Sequence, residues 1–239
     1  MTGVSEEHRI RVASYNVRGL KDDRAALAQV IRTIAPDVLL LQEVPRHPVS
    51  GHRIAGFADE IGLTWFGGKR YRMSTTLMTN LRLDVLEARH GRLPVHRFDE
   101  PRGFGMATVR LPGHRPIVAC SVHLSLRTAD RLPEVTTVLG AADARLPMVA
   151  GGDLNEQPSG RAWRHLAAAL PEVSAAAPTF SAQEPHKQID GIFATGTLRG
   201  VVPDLALDPH LLAAATDHLP VVVDLDVSAL ADPGNGESA

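Results

Sequence analysis

Thr216-Asp217-His218-Leu219-Pro220 sets an acid beside an imidazole just before the apolar stretch Val221-Val222-Val223. An Asp–His pair at a strand entrance can hold a metal ion or move a proton. Asp190 lies inside another apolar stretch, Ile189 to Phe193, where an unpaired carboxylate would be costly. Glu43 follows the apolar run Val38–Leu41, and an acid leaving a buried strand needs water or a partner. Asn16 ends the alternating stretch Ile10–Asn16, and His123 ends Ile117–His123. In Gly151-Gly152-Asp153-Leu154-Asn155 the glycines allow close backbone approach, and residues 153 and 155 share a side if extended. Blander readings stand beside these. Asn16 suits a turn, the Gly-Gly-Asp-Leu-Asn stretch an Asx turn, and His123 a satisfied core position.

Taken together, Glu43, Asp153 and Asp217, with amide help from Asn16 and Asn155, offer hard oxygen ligands suited to Mg²⁺ or Mn²⁺. His123 and His218 can handle protons near neutral pH. The set points to a metal-dependent phosphoester hydrolase. The sequence has no His-Glu-x-x-His, no Walker loop and no dinucleotide fingerprint, which disfavours zinc proteases, P-loop enzymes and dehydrogenases. Its single cysteine, Cys120, sits in an apolar run and reads as an inert buried thiol, so neither a disulfide nor a Cys metal site is expected.

The elements that must carry these residues are mostly strands. Further candidates are 75–79, 83–88, 105–111, 148–150, 188–194 and 221–227. Helices are fewer. One is capped by Asp22 or Asp23, shows Leu27, Val30, Ile31 and Ile34 on one face, and stops at Pro36. Others are expected over 54–63, over 128–144 with Pro133 interrupting or starting it, and over 161–170 with Ser159 as cap. Strands outnumber helices and mix with them irregularly, which favours two packed sheets flanked by helices over a doubly wound pattern. No linker divides residues 1–231, so one domain is expected, with a disordered tail over 232–239. The formal net charge of −2 gives no global basic field toward nucleic acid. Lysine occurs only at 21, 69 and 187. With no leader and no apolar run of spanning length, a cytoplasmic protein is expected.

In order, SYNVRG (14–19), LLLQEV (39–44), CSVHLS (120–125), GGDLN (151–155), QIDGIF (188–193) and TDHLPV (216–221) resemble the endonuclease/exonuclease/phosphatase superfamily, which includes deoxyribonuclease I. The resemblance covers about residues 9–226. It implies a four-layered α/β sandwich, two packed mixed sheets flanked by helices, with the site at the sheet edges. It implies Glu43 as main Mg²⁺ ligand, with Asn16, Asp153, Asn155 and Asp217 completing the metal, water and phosphate shell. Asp190 would orient His218, acting as general base or phosphate-stabilising cation. His123 would face the scissile phosphate as general acid or charge stabiliser, and Arg102 in EPRGFGMATV (100–109) resembles a phosphate-contacting arginine. Arg18 stands where abasic-site endonucleases usually carry an acid, and HLSL replaces their Tyr-x-Pro-Asn, which argues against that activity. Arg70 and Arg72, in the basic and aromatic segment WFGGKRYRM (65–73), are candidate substrate contacts. The expected substrate is nucleic acid. The alternatives are a small-molecule or lipid phosphoester, or a catalytically idle binding module. No membrane span and no obligate protein partner are expected.

Overall fold

The computed structural model describes residues 4–47, 50–66, 74–94, 96 and 101–232. The elements run β1 (Arg9–Asn16), α1 (Arg24–Ile34), β2 (Val38–Gln42), α2 (Ser50–Ile61), β3 (Thr64–Trp65), β4 (Thr76–Thr79), β5 (Asp84–Arg92) and β6 (Gly103–Arg110). They continue with β7 (Ile117–His123), α3 (Thr128–Ala141), β8 (Met148–Asp153), α4 (Arg161–Ala169), β9 (Asp190–Ala194), β10 (Arg199–Val201), α5 (Pro209–Ala215) and β11 (Val221–Asp226). Two mixed sheets form, one in the order β10-β11-β1-β2-β4-β3 and one in the order β5-β6-β7-β8-β9.

Side-chain alternation sorts these strands into layers. Val12, Val38, Leu40 and Val223 of the first sheet meet Val109, Ala119, Val149 and Ile192 of the second in one core. The opposite parity of the first sheet, Ala13, Tyr15, Leu39 and Leu41, packs on Leu27, Ile31 and Ile34 of α1 and on Ile54 and Phe57 of α2. The opposite parity of the second, Val118, Cys120, Val122 and Phe193, packs on Val135 and Val138 of α3 and on Trp163 and Leu166 of α4. Four layers result, helix–sheet–sheet–helix, as the resemblance implied. β2 is apolar at both parities because both of its faces are covered.

Local signals explain most boundaries. Asp23, not Asp22, caps α1, accepting from the amides of Ala25 and Ala26 at 2.9 and 3.0 Å. Ala35 closes that helix in the left-handed region, φ 49, ahead of Pro36. The expected Ser159 cap is not used. Gly160 occupies the cap position of α4 without a side-chain bond, and the Glu156 carboxylate accepts from Ala162 and Trp163 at 2.7 and 3.0 Å instead. The 128–144 helix ends earlier, at Ala141, and carries Pro133 inside it. Unanticipated elements are β3, β10 and α5, the last capped by Asp208 with Pro209 at its start. Cys120 is fully buried, and burial raises its thiol pKa. Of the tail expected over 232–239, residues 233–239 lie outside the described residues. Among the described residues, no helix is long and apolar enough to cross a membrane.

Candidate active site

The apolar filling between the sheets runs out at one end, and there the same inward parity becomes polar. Asn16 continues the side of Ile10 and Val12, His123 that of Ile117 and Ala119, and Asp153 that of Val149. Asp190 shares its side with Ile192 and Ala194. Strand register then sets His123 opposite Asp153 across β7–β8, and Asp153 opposite Asp190 across β8–β9. These three side chains therefore stand in consecutive strands at one edge of the second sheet. The first sheet contributes Asn16 from the end of β1 and Glu43 from just past β2. Glu43 turns off the strand in the left-handed region, φ 53.

Hydrogen bonds join the two sheets. The Asn16 amide donates to Glu43 Oε1 at 3.2 Å and to Asp153 Oδ2 at 3.1 Å. Beneath it the Gln42 amide, fully buried, donates to Ser14 and Ser121, and the Ser121 hydroxyl donates to the Leu41 carbonyl. Gly152 makes this spacing possible, since a Cβ there would collide with the Val122 carbonyl oxygen of the neighbouring strand. Asn155 is not extended. Its φ is 49, its backbone N–H donates to Asp153 Oδ1 with N···O 2.8 Å, and its side chain donates to the Leu124 carbonyl at 3.0 Å. The Asx turn thus forms, and it holds the loop after β8 against the loop after β7.

His218 donates from Nδ1 to Asp190 Oδ2 at 2.9 Å, which leaves Nε2 facing Asp153 Oδ2 at 3.7 Å. A strap from the α4–β9 connection clasps the pair, and nothing in the sequence marks it. The Thr179 hydroxyl donates to the same Asp190 oxygen at 2.6 Å. The Thr179 carbonyl accepts from Leu219, the Phe180 ring packs 5.0 Å from the His218 ring, and Ala182 donates to the Asp217 carbonyl. Asp217 itself turns outward, 3.4 Å from the Arg18 guanidinium, which also pairs with Asp22. Arg18 thus neutralises an expected metal ligand, a contact invisible in sequence because the partners lie 199 positions apart.

Charge is unevenly compensated. Burial opposes charging His218, but the hydrogen bond to Asp190 and the charges of Asp190, Asp153 and Asp217 outweigh it and raise its pKa to about 9. Burial, together with the Asp190 charge, pushes the Asp153 carboxyl up to about 7. His123 is held well below its ordinary value by burial, then by the charges of Arg102, His218 and Arg46. Its Nε2 lies 3.5 Å from Asp153 Oδ2, and its Nδ1 is buried without a hydrogen-bond partner. Asp190 Oδ1 is likewise unpartnered.

Asp153, Asp190 and His218 offer ligand atoms within 4.8 Å of one another, all from buried residues. Buried acids with a raised carboxyl and an orphaned oxygen are relieved by a divalent cation, and the oxygen-rich donor set suits a hard one. The cluster differs from the expected ligand set, because Asp190 and His218 enter it while Glu43 joins only through Asn16.

A cleft of about 380 Å³ opens to one side, lined by Glu43 and His123 together with Lys21, Arg46, Arg102 and Leu126. Arg102 precedes β6 directly, so the strand fixes its backbone at the cleft wall. Arg70 and Arg72 lie outside the described residues. Of the aromatic pair before them, Trp65 donates from its indole to the Thr76 hydroxyl at 3.0 Å. Residues the sequence did not single out are Thr179, Lys21, Arg46 and the Gln42–Ser121 link. Only Gln42 left a trace, as a polar residue ending an apolar run.

The sequence matches the profile of the Endonuclease/Exonuclease/phosphatase family over residues 13–218. The chain belongs to this family. Its members are phosphoester hydrolases, which sets the enzyme reading above an idle binding module. Solved structures share the fold. An endonuclease/exonuclease/phosphatase from Beutenbergia cavernae superposes with a TM-score of 0.72 at 23% identity, covering 92% of this chain and 72% of that one. A Bacteroides thetaiotaomicron mannosyl-6-phosphatase gives 0.70 at 17% identity, covering 90% and 99%. The human Nocturnin catalytic domain with bound sulfate gives 0.68 at 18%, covering 93% and 95%. No curated protein matches the sequence.

Proposed function

We propose that this family member is a Mg²⁺-dependent phosphodiesterase or nuclease that cleaves by in-line attack of water. One observation carries the reading: Asp153 stands within 4 Å of Asn16, His123 and His218, with Asp190 behind His218. That arrangement suits a phosphate more than a carbonyl, since Asn16, His123 and His218 gather hydrogen-bond donors around one carboxylate. A divalent cation held by Asp153 and Glu43, which the Asn16 amide bridges, would supply charge neutralisation at the phosphate and the leaving oxygen. In this reading Asp190 fixes the His218 tautomer, and His218 presents Nε2–H to a phosphate oxygen as an imidazolium. His123, neutral in the free protein, donates one further hydrogen bond. Asn16 and Asn155 hold the carboxylate and the loops in register around the phosphate. We take residues 1–231 as a single catalytic unit.

A second reading, a small phosphoester substrate, is favoured by the modest cleft of about 380 Å³. The fold neighbour described as a mannosyl-6-phosphatase is an instance of that chemistry. Incubation of the protein with supercoiled plasmid, with Mg²⁺ or EDTA and beside His218→Ala, tests the proposal. Metal- and His218-dependent nicking supports a nuclease. An intact plasmid with cleavage of an aryl phosphodiester or a sugar phosphate moves the assignment to small substrates. Inertness toward all three refutes phosphoester hydrolysis.

A further inference from the structure

The two halves of the site stand on different sheets. Asn16 and Glu43 belong to the first, and His123, Asp153 and Asp190 to the second. The distance between the sheets therefore sets the geometry of the centre. One row beneath the site, Gly105, Ser121 and Gly151 lie side by side across β6, β7 and β8, nearly bare of side chains. A Cβ on Gly105 would come 3.0 Å from the Thr76 Cα in β4, and one on Gly151 3.0 Å from the Leu40 side chain in β2. The first sheet thus lies directly on this row. Into it reaches Gln42, the last residue of β2, next to Glu43 and in register with Asn16. Its amide nitrogen lies 3.0 Å from Ser121 Oγ, 3.2 Å from the Leu40 carbonyl and 3.3 Å from Ser14 Oγ. The Ser121 hydroxyl crosses in the other direction, donating to the Leu41 carbonyl at 2.9 Å. Gln42 and Ser121 are both fully buried, and among the described residues nothing bonds Gln42 Oε1. A leucine would fill similar space without that orphaned oxygen, so stability alone does not account for the amide. Hydrogen bonds fix distance and direction, whereas apolar contact is non-directional.

We propose that Gln42 and Ser121 are positioning residues, whose link across the sheets sets the separation of Glu43 from Asp153. Through that separation they govern how well the centre takes a divalent cation and turns over its substrate. The inference rests on the phosphoester hydrolase reading and deepens it with residues that lie beneath the centre.

The test sets Gln42→Leu, Ser121→Ala and the double variant beside the parent protein. The readouts are hydrolysis of bis(4-nitrophenyl) phosphate, calorimetric Mn²⁺ binding and the urea midpoint. Each single variant should lose roughly tenfold or more in kcat and in Mn²⁺ affinity, with KM little changed. The double variant should be no worse than the poorer single one, because both changes cut one link. The midpoint of Gln42→Leu should stay near the parent's or rise, since the orphaned oxygen is gone. A merely structural role gives the opposite pattern, with a lower midpoint and intact kcat and Mn²⁺ affinity. Val109→Ala, in the apolar core between the sheets, serves as the example of that pattern. Parent-like kcat or Mn²⁺ affinity in both single variants overturns the proposal, as does full additivity in the double variant. If Gln42→Leu does not fold, Ser121→Ala, which removes one oxygen, decides by the same readouts. If the parent leaves the ester intact, the hydrolase reading fails by itself, and Mn²⁺ binding alone judges the link. Weaker binding in Ser121→Ala than in the parent then supports it, and equal binding refutes it.

Discussion

His218 sits between two acids that pull in one direction, and this makes its chemistry testable by titration. Its pKa, near 9, lies above the ordinary value, so the imidazolium persists through neutral pH and is lost as pH rises through about 9. If that cation is the working form, kcat/KM falls on the alkaline side. Asp190→Asn removes the interactions that raise the pKa, so the fall should move to lower pH while kcat drops by about 10²–10⁴. A kcat/KM that climbs with pH through neutrality would make His218 the base. Thr179→Val takes one hydroxyl from Asp190 and should lower kcat by roughly tenfold with little change in melting temperature. These residues were not equally legible. Asp190 announced itself, because a carboxylate in an apolar strand must be answered by something. Thr179 did not, because a loop threonine eleven positions away looks like any surface hydroxyl until the strap is folded.

The strands hold these groups at a spacing that depends on missing atoms and hidden charges. A methyl at Gly152 would overlap the Val122 carbonyl, a backbone atom that cannot step aside, whereas one at Gly151 meets side-chain carbons of Ile192 and Leu40 at 3.0 Å and the Gly191 carbonyl at 3.2 Å, tight contacts that small shifts relieve. Gly152→Ala should therefore cost about 3 kcal/mol or more in urea unfolding, and Gly151→Ala about 1 kcal/mol. Helix α3 carries a different device. Glu134 is fully buried and accepts from the Ser125 amide at 2.7 Å, while Arg131 grips the Ser125 and Leu126 carbonyls and approaches Glu156. The loop following His123 is thus clamped from behind. Burial pushes the Glu134 carboxyl up to about 7 from an ordinary 4.5. The ionised form is the one the fold disfavours, so stability declines as pH rises from 4.5 through 7. Glu134→Gln should gain on the parent by on the order of 3 kcal/mol at pH 9 and by nothing near pH 4, read from denaturation midpoints at both values. In sequence Glu134 was one more helix acid, since its burial depends on the loop that folds over it.

At the scale of the molecule, the order of six short motifs was enough to foresee two sheets and their helical covers. Four of the motifs end a strand and two, QIDGIF and TDHLPV, lead into one, and strand ends at matching parity converge. What escaped were pieces too short to carry a period: β3, β10 and α5, which span 2, 3 and 7 residues. The crowding of acids between the sheets predicts that Mg²⁺ stabilises the whole fold. Saturation at about a hundred times the dissociation constant should raise the melting temperature by about 5–10 °C, and Glu43→Gln should blunt the rise. No shift in either protein would mean that the cluster holds no such ion. Strand β1 pairs with β11, which lies far along the chain, from Arg9 against Asp226 to Ser14 against Val221. A ribosome must therefore carry the chain past residue 226, and its exit tunnel must release that stretch, before the first sheet can close and His218 can reach Asp153. The growing polypeptide stays harmless to the phosphoesters around it until residue 226 has emerged.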